Sequence, residues 1–189
     1  MRILKLRFRN LNSLAGEWLV DFSHPDYSAN GLFAITGPTG VGKTTILDAI
    51  CLALYGATPR LDKISQSSNE IMSRGCGECL AEVIFETSSG RYRCQWSQHR
   101  SRQKADGKLQ AARHEIVDDQ NNQVIESHLT KTLAEVEKVT GMNFGQFTRS
   151  IMLAQGAFAA FLEAPPAERA ELLEQITGTG IYSAISQRV

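Results

Sequence analysis

Apolar and charged side chains alternate strictly over residues 2–9, with Leu4, Leu6 and Phe8 on one face and Ile3, Lys5, Arg7 and Arg9 on the other. A period of two predicts a strand with one buried face. Asn10–Gly16 is a polar loop, and Glu17–Phe22 predicts a second strand that returns as a hairpin. Residues 23–30 read as a loop. Leu32, Phe33, Ala34 and Ile35 form a short apolar run suited to a buried parallel strand, and Thr44–Tyr55, apolar apart from Asp48, suits a buried helix. Gly56–Gly77 is rich in turn formers and predicts little core. Cys79–Glu86 and Arg91–Gln98 predict a hairpin around Ser88-Ser89-Gly90, with Tyr92, Cys94 and Trp96 inward and Arg91 and Arg93 outward. Ala105–Lys108 is a turn, Arg113–Val117 a strand, and Asn121-Asn122 a turn into Val124 and Ile125. From His128 the period becomes helical through Leu129, Leu133, Val136 and Val139, and Gly141 ends that helix. Further helical segments cover roughly 144–154, 157–162 and 166–176. Gly178 and Gly180 interrupt before Ile181 begins another.

Between the predicted parallel strand and the buried helix, residues 37–44 read Gly-Pro-Thr-Gly-Val-Gly-Lys-Thr. This is the G-x-x-x-x-G-K-[ST] spacing of a phosphate-binding P-loop, in the strand–loop–helix order that the motif requires. Gly37, Gly40 and Gly42 allow a tight bend that turns successive backbone N–H groups toward a polyphosphate, and the helix N-terminus adds positive potential there. Pro38, Thr39 and Val41 complete the loop. The motif assigns Lys43 to the β- and γ-phosphates, Thr44 to Mg²⁺, and Thr45 to the α-phosphate. It implies a nucleoside triphosphate, with ATP and Mg²⁺ as the expected cofactors.

Charge refines the picture. Lys plus Arg and Asp plus Glu are 20 each, so overall charge selects no partner. The distribution is uneven, however. Arg91, Arg93, Arg100, Arg102, Lys104, Lys108 and Arg113 face a single acid, Asp106, whereas Glu163, Glu168, Glu171 and Glu174 surround Arg169. Clustered cations on a hairpin suit contacts to nucleic-acid phosphates, and Arg100, Arg102 and Lys104 are the candidates, against a plain solvated tip. No apolar run approaches the ~20 residues that span a bilayer, and the start has no signal-peptide core, so no membrane role and a cytoplasmic location are expected. Cys51, Cys76, Cys79 and Cys94 then read as reduced thiols. Cys76 and Cys79 have metal-ligand spacing, but no second pair completes a four-ligand site.

Two segments carry a family resemblance. Gly31–Tyr55, with the P-loop, and Phe147–Leu162, with Gln155 in Ser-Ile-Met-Leu-Ala-Gln-Gly, resemble the N-terminal head segment of the SbcC family of SMC-like break-repair ATPases. The resemblance extends over essentially the whole chain. It implies an α/β fold, half of an ABC-type P-loop ATPase head with an inserted antiparallel sheet, over residues 1–176, with a coiled-coil helix starting over 177–189. It further implies ATP-driven pairing of two heads, a homodimer that gates the access of double-stranded DNA to an SbcD-type nuclease. Gln155 becomes the Q-loop residue, touching Mg²⁺ and the attacking water. Met72-Ser-Arg-Gly75 matches a loop that approaches the nucleotide in relatives, making Ser73 and Arg74 candidates. Asn12 stands in the region where related ATPases often place a nucleotide-contacting arginine. No Walker B acid pair follows an apolar run and no Ser-Gly-Gly signature occurs, so the general base and signature serine are expected from a C-terminal half of the same head. Two other readings stay open: an SMC-type chromosome-organising head, and a transporter-type ABC ATPase.

Overall fold

In the computed structural model, residues 1–28, 34–60, 68–150 and Pro165 are described. One compact unit is Met1–Gly141, and a second is Met142–Val189. The first is built on a 6-stranded sheet of order β2-β1-β3-β4-β5-β6, with every neighbouring pair antiparallel. Its strands are β1 (Arg2–Leu11), β2 (Leu14–Asp21), β3 (Glu78–Thr87), β4 (Gly90–His99), β5 (Arg113–Asp118) and β6 (Gln123–Glu126). Both hairpins read from the sequence form.

One face of the sheet is apolar. Leu6 stands opposite Val83, Val83 opposite Cys94, and Cys94 opposite Ile116, all of them fully buried. Against this face packs α2 (Lys43–Tyr55), touching β1, β3 and β4, and beside it α3 (Leu129–Thr140) covers β5 and β6. Helix α2 is almost entirely buried from Asp48 onward because it carries apolar side chains on every side, as a helix between a sheet and a second helix requires. Gly56, in the left-handed conformation, ends it by donating its N–H to the Leu52 carbonyl.

Four expectations change. Residues 25–28 form a short helix, α1 (Pro25–Ser28), where a loop was expected. Helix α3 buries Thr132 and Val136, while Leu129 is exposed. Its register is set by the Thr132 hydroxyl, which donates to the His114 carbonyl at 3.0 Å and pulls that face inward. The segment before Gly77 contributes core after all, through Ile71 and Met72. Ala34 and Ile35 are neither strand nor buried, and Ile35 is 44% exposed. A parallel strand needs a parallel partner, and among the described residues the sheet offers none. Leu32 and Phe33 lie outside the described residues.

The second unit opens with α4 (Phe144–Ser150). Its start is a reciprocal cap: Asn143 Oδ1 accepts the Gln146 N–H, and Gln146 Oε1 accepts the Asn143 N–H, both at 2.9 Å. The predicted helices beyond it, Gln155 and the coil expected from 177 onward fall outside the described residues.

Candidate nucleotide site

The P-loop forms an exposed arch that runs into the first turn of α2. Gly40 and Gly42 have φ values of 88° and 94°, a backbone region that a side chain penalises. Gly42 is also sterically constrained. A Cβ there would meet the Leu14 side chain at 2.7 Å, so the β1–β2 turn presses on the loop where it becomes helix. The N-cap residue is Gly42, which has no side chain to bond the first-turn N–H groups, a helix start suited to an anion. Lys43 turns back over the arch, and its Nζ donates to the carbonyls of Gly37 and Pro38 at 2.6 and 2.7 Å. An ammonium folded onto a glycine-built arch, with a threonine next in the chain, is the residue set that a polyphosphate and its Mg²⁺ need.

Thr45 is buried, and its hydroxyl receives the Asn12 amide at 3.3 Å. The same amide donates to Asp48 Oδ2 at 3.1 Å. Asp48 is 2% exposed, and a carboxylate so far from water needs partners. Arg60, an exposed side chain beyond the end of α2, supplies an ion pair to it. The need for a partner was visible in the sequence as a lone acid in an apolar helix; which residues meet it was not.

Asn12 is also where the remaining candidates join. Its N–H donates to Ile71 O at 2.7 Å, and Ser73 answers with its hydroxyl to Asn12 O and its N–H to Asn10 O, both at 2.9 Å. Asn12, Ser13, Ala15, Glu70, Met72, Ser73 and Arg74 line a cavity of about 470 Å³. Asn12, Ser73 and Arg74 therefore come together, and the Asn12 amide links their cavity directly to the P-loop helix. A neighbouring cavity of about 500 Å³ shares Ser73 and Arg74 and adds Cys76 and Arg100, so the β4–β5 loop approaches the same region.

The cationic residues separate into three groups. Arg91 and Arg93, at the far end of β4, pair with Asp119, and Arg93 also donates to Asn122. Arg7 and Arg9 converge on Glu17 at 2.6 and 2.7 Å and hold its carboxyl below the usual range, Arg9 most strongly, while Lys5 pairs with Asp21 at 3.2 Å. In the β4–β5 loop, Arg100 donates to Gly107 O, whereas Arg102 and Lys104 are exposed and, among the described residues, have no ion pair. The cysteines divide as well: Cys51, Cys79 and Cys94 are buried, Cys76 half-buried. Among the described residues no group of His, Cys, Asp and Glu side chains forms a metal site, and no helix is long and apolar enough to cross a membrane.

A P-loop on an α/β unit of this kind defines a class. The AAA domain family matches residues 5–185, and the chain belongs to that family. Within it, the chain is similar to the SbcC component of the SbcCD nuclease of Pseudomonas aeruginosa, 47% identical over 203 residues that cover 99% of this chain and 17% of the relative. The SbcC component of the Rhodobacter capsulatus nuclease is 42% identical over 205 residues, covering 100% and 17%. The chain thus spans about a sixth of the length of these curated relatives. A solved structure from work on ATP-driven dimerization and DNA-stimulated activation of SMC ATPases superposes with a TM-score of 0.51 at 20% identity, covering 93% of this chain and 99% of the other. That likeness shows a shared fold.

Proposed function

We propose that this chain is the N-terminal, ATP-binding half of the ATPase head in a DNA-processing nuclease complex of the SbcCD type. The observation that carries this reading is the P-loop arch closed by Lys43, in a chain similar to the SbcC component of such nucleases from end to end. Gly37–Gly42 cradle the phosphates through backbone N–H groups. Lys43 exchanges the Gly37 and Pro38 carbonyls for phosphate oxygens, Thr44 holds Mg²⁺, and Thr45 faces the α-phosphate. Bound Mg²⁺ would neutralise charge developing on the transferred phosphoryl group. Gln155 orients the attacking water, and Asn12, Ser73 and Arg74 flank the nucleotide.

The second half of the head would supply the acid and the signature serine. The exposed Ile35, in an apolar segment with no strand partner among the described residues, supports a parallel sheet completed by that half. A second head, an SbcD-type nuclease and double-stranded DNA complete the assembly, in a cytoplasmic, nucleoid-associated setting. Similarity to the SbcC component favours this over a chromosome-organising SMC head or a transporter ATPase.

Supplying the C-terminal head segment should raise ATP turnover well above that of this chain alone. Gln155→Ala should then lower kcat more than ATP affinity, because its role matters most as charge develops in the transition state. Efficient hydrolysis by this chain unaided would contradict the split head.

A further inference from the structure

We infer that Asn69 is a positioning residue of the nucleotide site, oriented by the buried Gln98; the inference rests on the nucleotide reading given above. Gln98 is 1% exposed, on the apolar face of β4. A buried carboxamide is tolerated only when its donors and acceptors are used. Its Oε1 accepts from Asn69 Nδ2 at 2.6 Å, and its Nε2 donates to Gln110 O at 2.9 Å.

With its amide nitrogen held by Gln98, Asn69 turns its oxygen to the backbone. Oδ1 accepts the N–H groups of Ile71 and Met72 at 3.1 and 2.8 Å. Those residues open the strap Ile71–Arg74, which binds the β1–β2 turn through the Asn12–Ile71, Ser73–Asn10 and Ser73–Asn12 hydrogen bonds. The turn in turn reaches Thr45 and Asp48 through the Asn12 amide. A carboxamide thus stands at each end of the strap, Asn69 toward the sheet and Asn12 toward the P-loop helix. The hydrogen bonds of Asn69 go to the strap and the sheet. Its influence is on where Ser73, Arg74 and Asn12 stand.

Two measurements on this chain test the role. One is amide hydrogen exchange without nucleotide at Asn12, Ile71, Met72 and Ser73; the other is titration with MgATP. Asn69→Ala should speed exchange at these amides and weaken MgATP binding, each by about tenfold, the scale of one or two missing hydrogen bonds. Asn69→Ser keeps an acceptor for the Ile71 and Met72 N–H groups together with an O–H donor for Gln98, and should restore both readouts to within about threefold. Val136→Ala, a core truncation in α3, should lower thermal stability and leave both readouts unchanged. Wild-type exchange in Asn69→Ala, or failure of Asn69→Ser to restore it, would overturn the positioning role. Altered exchange with unaltered MgATP affinity would overturn its bearing on the nucleotide. If Lys43→Ala leaves MgATP affinity intact, the nucleotide reading fails, and the exchange result still decides the role of Asn69 in the strap.

Discussion

The side-chain amide of Asn12 donates to Asp48 Oδ2 at 3.1 Å, tying the turn after the first strand to the second turn of the P-loop helix. The pair fixes the loop from beneath: Asn12 holds Asp48, while Leu14 of the same hairpin presses on Gly42. Among the described residues, removing the carboxylate leaves the half-buried Asn12 amide with Thr45 alone and takes the ion-pair partner from Arg60. Asp48→Ala should therefore cost about 1–3 kcal/mol, the range for stranding a polar partner away from water. Urea unfolding of the two chains measures this directly.

His114 carries a pH dependence. Burial depresses its pKa below the ordinary value of 6.5, against the opposing effect of the Ala53 carbonyl, 2.9 Å from Nε2. A base with a depressed folded pKa favours the fold when neutral. Its contribution is complete above the unfolded pKa and is lost as pH falls through the region below about 6.5. Thermal stability should decline over that range, and more shallowly in His114→Gln. Parallel pH profiles for the two proteins would remove His114 as the source.

The buried thiols titrate in the opposite direction. Burial pushes Cys51 up to about 12 and Cys79 up to about 11, from an ordinary 9.0. A raised pKa favours the fold while the thiol is protonated, so this stability is complete below about pH 9 and is lost as pH rises through these values. Since the thiolate is the reactive form, mild alkylation at pH 8 should modify the half-buried Cys76 first. Cys51, Cys79 and Cys94 should react only on unfolding. Peptide mapping by mass spectrometry reads the order.

The first-strand cations offer little to a polyanion, because Arg7, Arg9 and Lys5 are already matched by Glu17, Glu78 and Asp21. Substituting Arg102 and Lys104 by Glu in the assembled, ATP-bound head should weaken duplex binding equally for every sequence. It should also flatten log affinity against log salt by roughly 0.9 for each phosphate no longer neutralised. Arg100, partly committed to Gly107 O, should contribute less. An unchanged salt slope by fluorescence anisotropy would move the DNA site off the β4–β5 loop.

Local pattern was sufficient for much of the fold. Alternation located β1, the β3–β4 hairpin and β5, because each strand buries one face and solvates the other. It failed where long-range partners decide. Leu129 satisfied the helical period, but Thr132 faces the sheet because its hydroxyl finds the His114 carbonyl. Ile71 and Met72 sit in a turn-rich stretch and are buried only because the strap crosses Leu11. At the site, the P-loop was legible as a contiguous motif. The Asn12–Asp48–Arg60 cluster and the Asn69–Gln98 pair join residues far apart in the chain, which no local spacing encodes.

The central claim is that Gly37–Thr45 binds the phosphates of ATP through the arch and Lys43. Isothermal titration of MgATP into this chain and into Lys43→Ala, with the C-terminal head segment supplied to both, tests it most directly. Removing the charge-assisted hydrogen bond should weaken binding by at least ~1.5–3 kcal/mol. Equal affinity in the two proteins would contradict the account.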